Sequence, residues 1–304
     1  MMDWYTYDWS INFLNHHYIP QFYLNRWIDP SHGKVNNYYY LHDRLLCGKK
    51  APKNLGCLED LYALKNVAED DKHLLETDHY KLLDDKAAKI LNKLVTGRVI
   101  ALNNNEKISW CDFIISMMTR NAVQVQKSIK DGKPIIEELK EKLPPEAKER
   151  FSKEIAYYDL NIANLTIAAV SGYSEFEEQE FTARFREIFI NLNWWIEDYS
   201  LLELNLLTSD RPVIMYPVTA IKNSLDISSG KITDLLINHD FILSLPLSPK
   251  LCFFAYKKIK PKRSLSQTLK AQNFNLIAQS HSYIFTNTLI HDKFIRKYFK
   301  NKTI

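Results

Sequence analysis

Glycine is scarce in this chain, with 7 among 304 residues, and proline numbers 11. So few of either exclude long flexible linkers, collagen-like repeats and low-complexity tracts. Cysteine is scarce too. Cys47, Cys57, Cys111 and Cys252 form no C-x-x-C pair and no zinc-like spacing, so the expectation is four reduced thiols in a cytoplasmic protein. No apolar run approaches the roughly 18 residues that a membrane-spanning helix requires, which predicts no membrane association. The opening Met1-Met2-Asp3-Trp4-Tyr5-Thr6 has neither a basic lead nor an apolar stretch, so no secretion leader is expected. Also missing are H-E-x-x-H, D-x-D and G-x-S-x-G, which removes the familiar sequence support for a zinc protease, a paired-carboxylate metal site or a serine-hydrolase elbow.

What is present suits a folded protein with a substantial core. Hydrophobic residues make up 46% and charged residues 25%, and the 17 tyrosines favour a sheet-bearing fold. Charge is unevenly spread. Residues 257–304 carry eleven Lys/Arg against Asp292 alone, whereas the rest of the chain is net acidic. Two readings of that segment stay open: a contact for nucleic acid or another anionic partner, or a lysine-rich solvated hairpin loop and terminal helix.

The pattern of residues predicts an early strand at Val35–Leu41 and a helical turn at Leu58–Tyr62. Helices are expected from about Asp71 to Val95, ended by Gly97, and from about Glu106 to Lys130, capped by Asn105. Further helices follow over 134–143, from Glu146 to Val170 and from Ser174 to Leu192. After Trp194 the period changes. Strands are predicted at 194–196, 202–208, 212–216, 240–247 and 251–256, then a helix over Leu265–Gln279, a strand at Ser282–Thr286 and a helix at Asp292–Phe299. The expected fold is α+β: a mostly antiparallel sheet from the early strand and the C-terminal half, with a helical block at about 70–192 inserted into a single domain, 1–304.

The densest chemistry lies in Asn15-His16-His17-Tyr18-Ile19-Pro20-Gln21-Phe22-Tyr23-Leu24-Asn25-Arg26-Trp27. Pro20 biases Ile19 toward extended geometry and suits the start of a helix over Gln21–Trp27. On the extended stretch before it, His16 and His17 point to opposite faces and should not share one metal ion or substrate atom. Either imidazole could serve as a general base or metal ligand, or both could lock the N-terminal segment onto the core.

His16-His17-Tyr18-Ile19-Pro20-Gln21-Phe22-Tyr23-Leu24 resembles the N-terminal signature of a bacterial family, domain-of-unknown-function family 4238. The resemblance continues through Leu75-Glu76, through Trp110-Cys111-Asp112-Phe113-Ile114-Ile115-Ser116 with Arg120, and through Thr208-Ser209-Asp210-Arg211-Pro212-Val213. Leu245-Pro246-Leu247-Ser248-Pro249 and Asn275 extend it to nearly the whole chain. Arg211 stands where that family often has Asn, and Trp27 where it often has Phe. The resemblance implies a fold and a residue set, and it carries no activity with it.

The set is chemically coherent: His16, His17, Gln21, Glu76, Arg120 and Asp210 as candidate catalytic groups, with Ser209 and Arg211 at the strand end beside them. Ser209 and Asp210 also suit a plain turn role. Arg120 borders an apolar helix face and should find a carboxylate, with Glu76 or Asp210 as the expected partner. Histidine as base, a carboxylate to orient it and arginine to hold negative charge would serve phosphodiester hydrolysis, a nuclease-like reaction. Lys257, Lys258, Lys260, Lys262 and Arg263 would then track a nucleic-acid backbone. A divalent metal held by one histidine with Glu76 and Asp210 is a possible cofactor. The alternative is a non-enzymatic module that binds nucleic acid or protein, in which the same residues are structural or grip a ligand.

Overall fold

The computed structural model describes residues 14–63, 72–96, 102–126, 144–146, 149, 186–217, 240–257 and 264–300. Strand β1 (Asn15–His17) leads to Pro20, whose φ of −61° and ψ of 143° place it just ahead of the helical turn α1 (Gln21–Leu24). A tighter turn at Asn25–Trp27 continues α1. Next come β2 (Val35–Leu41) and β3 (Arg44–Lys50), joined by His42 and Asp43 with φ of 46° and 60°. Two left-handed residues match the twist of a tight hairpin. Strand β3 was not expected from the sequence, because Leu45-Leu46-Cys47-Gly48 shows no polar alternation.

Strand β4 (Cys57–Glu59) pairs antiparallel with β1, where the sequence pattern suggested a helical turn. Gly56 causes the difference. Its φ is +61°, and a Cβ there would stand 2.6 Å from Ile19 Cβ. Glycine alone allows this approach, which lets the Ile19 N–H bond the Gly56 carbonyl at 2.9 Å and lays residues 57–59 beside the histidines.

The next helix begins as a π-helical segment, Leu75–Tyr80, and runs on as α2 (Lys81–Val95). Helix α3 (Asn104–Thr119) is capped by Asn103, two residues before the expected cap, in a reciprocal arrangement with Glu106. It stops at Arg120, residues 122–126 are helical again, and 127–130 lie outside the described residues. Gly97 and the helices expected over 134–143 and 146–170 lie outside the described residues, apart from 144–146 and 149. Of Ser174–Leu192, residues 186–190 are helical and 191–192 lie in the turn after them; the rest is outside.

The C-terminal half supplies β5 (Asn193–Asp198), β6 (Thr208–Ser209), β7 (Ile214–Pro217), β8 (Phe241–Pro246) and β9 (Leu251–Tyr256). Helix α4 (Leu265–Gln279), strand β10 (Ile284–Thr286) and helix α5 (Asp292–Tyr298) follow. One four-stranded sheet has the order β3-β2-β10-β6 and the other β5-β9-β8-β7, with every pairing antiparallel. The early strand therefore joins late ones, and the fold is α+β.

Residues 202–207 were expected to be a strand and are not. Their backbone groups bond side chains instead. Asn273 of α4 accepts from the Leu207 N–H and donates to the Asn205 carbonyl, both at 2.9 Å, and Lys250 Nζ donates to the Leu202 and Leu204 carbonyls. Gln279 donates to the Val213 carbonyl at 2.8 Å. Every buried backbone group needs a partner, and here the amides of α4 replace a ladder. No described helix is long and apolar enough to cross a membrane.

Candidate functional site

The two histidines go to different partners, as alternation on β1 requires. His16 is fully buried. Its Nδ1 accepts the Tyr62 N–H at 2.7 Å, so the ring proton sits on Nε2 and points at His73 Nδ1, 2.9 Å away. Tyr62 stacks on the ring with an interplanar angle of 13°. Burial lowers the His16 pKa from 6.5 to about 4, against the pull of Glu76, so the ring is neutral.

His16, Asp60 and His73 bring one possible ligand atom each within 4.8 Å of one another. The donor set does not fit a divalent ion. Metal binding needs a bare Nε2 on His16, yet the Tyr62 N–H occupies Nδ1 and leaves the proton on Nε2. Lys72 already pairs with Asp60 at 3.2 Å.

His17 is mostly buried. Its Nε2–H faces the Lys53 carbonyl at 3.2 Å, and its Nδ1 lies 3.9 Å from Glu76 Oε1. That same Glu76 oxygen accepts the His17 backbone N–H at 2.9 Å. The other, Oε2, is buried with no hydrogen-bond partner among the described residues. Glu76 sits on the π-helical segment, a distortion that recurs at functional sites.

Arg120 finds its carboxylate in Asp84, which the sequence reading did not name, and not in Glu76 or Asp210. The guanidinium has no exposure and closes on Asp84 with two hydrogen bonds, of 3.0 and 3.3 Å. It lies 5.2 Å from the Tyr80 ring centroid and 5.9 Å from that of Phe113. Burial works against the cation, but Asp84 more than offsets it and the Arg120 pKa is raised. Tyr62 donates its O–H to the Arg120 carbonyl and packs against Tyr80 with ring centroids 4.7 Å apart. Imidazole, carboxylate and guanidinium therefore share one buried lattice with Tyr62 and Tyr80 at its centre.

Asp210 serves a different region. Its Oδ1 accepts the His281 N–H at 2.9 Å, and its Oδ2 accepts those of Ser282 and Tyr283 at 2.5 and 3.2 Å. Burial raises its pKa, with these three donors pulling the other way. The carboxylate holds the 281–283 turn against the end of β6. Ser209 is buried in β6, and its hydroxyl accepts the Arg211 N–H at 3.1 Å.

Asp210 and that turn line a cavity of about 310 Å³, together with Tyr18, Tyr39, Tyr40, Leu58 and residues of the 121–126 segment. Tyr18 follows His17 in the chain and Asn121 follows Arg120, so the buried lattice and the cavity share two stretches of backbone. Tyr18 is only 5% exposed. The hydroxyls of Tyr18, Tyr39 and Tyr283 have no hydrogen-bond partner among the described residues, whereas Tyr40 donates to the Phe299 carbonyl at 2.8 Å.

Of the remaining sequence candidates, Gln21 is exposed at the first position of α1, and Arg211 makes a long 3.5 Å contact to the Gln279 carbonyl. Lys257 is half-buried at the end of β9, and its carbonyl accepts from Asn193. None of these three, nor Ser209, lines the cavity. Lys258, Lys260, Lys262 and Arg263 lie outside the described residues.

A family model described as a protein of unknown function, DUF4238, matches residues 15–291. The chain belongs to the DUF4238 family. Nothing among curated proteins or solved structures matches it. The match takes in β1, both helices of the buried lattice and the Asp210 turn, so the lattice and the cavity wall both lie within the DUF4238 region.

Proposed function

We propose that this DUF4238 chain is a ligand-binding module that holds a small molecule in the tyrosine-lined cavity. What supports this reading is the contrast in how polar atoms are engaged. His16, Arg120 and Asp210, which a hydrolase would need available, bond one another's neighbours or backbone. Three phenols around the cavity have hydroxyls without a hydrogen-bond partner among the described residues. A concave, mostly apolar hollow with a few convergent polar groups is the usual form of a small-molecule site.

A second reading, phosphodiester hydrolysis, draws on His17 and Glu76. There the His17 Nδ1 stands 3.9 Å from Glu76 Oε1, and the second carboxylate oxygen has no partner among the described residues. In that reading His17 is the base, Glu76 orients it, and Lys257, Lys258, Lys260, Lys262 and Arg263 guide a nucleic-acid strand.

The test pairs two measurements on purified protein. Thermal unfolding is screened against amines, nucleotides, sugars and amino acids, with Ala122→Trp as the variant that fills the cavity. In parallel the protein is incubated with RNA, single-stranded DNA and duplex DNA, with and without divalent metal. A ligand-dependent rise in Tm that Ala122→Trp abolishes supports the binding module. Strand cleavage that His17→Ala removes, or no shift with any class, overturns it.

A further inference from the structure

We propose that the cavity takes an organic cation, a primary amine or methylated ammonium group, held by the tyrosine walls; this rests on the binding-module reading above. Tyr18, Tyr39 and Tyr283 line one hollow, with the Tyr39 and Tyr283 centroids 6.1 Å apart, while Tyr40 lends it backbone and turns its ring to Phe299 on the other face of β2. Among the described lining residues Asp210 is the acidic side chain, and neither lysine nor arginine is present. An anion entering here would meet the Asp210 charge. A cation gains twice, from that charge and from the negative faces of the rings.

Two observations strengthen the argument. An ammonium group of the protein itself already stands near this wall, with Lys50 Nζ over the Tyr39 ring at 6.0 Å from its centroid. And the phenols stay protonated: burial first, then the nearby Asp210 charge, raises the pKa of both Tyr18 and Tyr283. A neutral phenol offers lone pairs to an N–H donor without adding a second charge that would need burying. Tyr18 is the most telling of the set. It is buried, lines the cavity, and its hydroxyl has no hydrogen-bond partner among the described residues.

Gly48 helps set the wall. A Cβ at Gly48 would press on Asn37 Oδ1 at 3.1 Å and reach Tyr39 Cε1 at 3.4 Å, so glycine there leaves room beside both side chains.

The test is calorimetric titration of the full chain with putrescine, trimethyl-lysine and choline, beside 3,3-dimethylbutanol as the neutral counterpart of choline and AMP as an anion. At least one cation should bind, and where choline binds the neutral counterpart should be weaker by about tenfold or more. Tyr39→Leu and Tyr283→Leu keep apolar bulk while removing a ring, and each should weaken the cation by about tenfold at unchanged Tm. Equal binding of choline and its neutral counterpart overturns the proposal, as does tolerance of both leucine variants. If AMP binds and no cation does, the cation falls while the binding module stands. If no compound in either screen binds, both fall.

Discussion

His16 shows how one side chain can be decided by a single backbone contact. With Nδ1 taken by the Tyr62 N–H, a second proton would have to displace that bond inside a buried site. The folded pKa is about 4 against an ordinary 6.5, so between those values the unfolded chain binds a proton that the folded chain refuses. The His16 contribution is thus fully present above about pH 6.5 and is lost as pH falls toward 4, amounting to about 3 kcal/mol at most. Burial raises Asp84 and Asp210, and their effect has the opposite sign, being lost as pH rises through the carboxylate range. The expected result is a urea midpoint that drops between pH 7 and pH 4.5 in the native chain. The drop should be clearly smaller in His16→Asn, which isolates the histidine from the acids. A slope unchanged by the substitution would assign the acid sensitivity elsewhere.

At the scale of the element, the decisive piece is the helix that starts as a π segment and continues as α2. Arg120 at the end of α3 closes on Asp84 of α2, pinning the two helices through a buried pair. Arg120→Leu leaves that acid without its partner and should cost about 3–5 kcal/mol of unfolding free energy. Arg120→Leu combined with Asp84→Leu should recover most of the loss, since two apolar side chains replace the pair without an orphaned charge. Denaturant midpoints of the single and double variants read this directly. The need for a carboxylate was legible from Arg120 beside the apolar positions Phe113 and Met117. Its identity was not, because the π segment has a wider turn than the 3.6-residue period that spacing assumes, so the phase between Glu76 and Asp84 could not be counted out. The Asn103 cap and the break at Arg120 show the same limit: a boundary depends on which amide reaches the backbone first.

For the molecule as a whole, Tyr23 is the junction. Its O–H donates to the Pro246 carbonyl of β8 and stands 2.7 Å from the Thr208 hydroxyl of β6, so α1 is tied to both four-stranded sheets by one phenol. Tyr23→Phe keeps the ring and removes both bonds, leaving a buried carbonyl and a buried hydroxyl unpaired. The expected loss is about 1–3 kcal/mol, seen as a lower Tm with unchanged circular dichroism at room temperature. A loss no larger than a few tenths of a kcal/mol would show that the sheets are held together without this link.

By itself the sequence determined much at short range: the strand at Val35–Leu41, the hairpin of β8 and β9, helix α4, and the opposed directions of His16 and His17. These follow from period and from backbone sterics, which act over a few residues. It also supplied the residue types of the lattice, because buried imidazole, acid and guanidinium must be matched somewhere in the fold. Only the tertiary structure decided which groups meet. Asp210 was spoken for by three backbone donors more than seventy residues away, Arg120 by Asp84, and the cavity was assembled from tyrosines at 18, 39, 40 and 283 that no local pattern connects. Hydrogen bonds and ring contacts of that range depend on how the sheets and helices pack, and spacing along the chain carries no record of it.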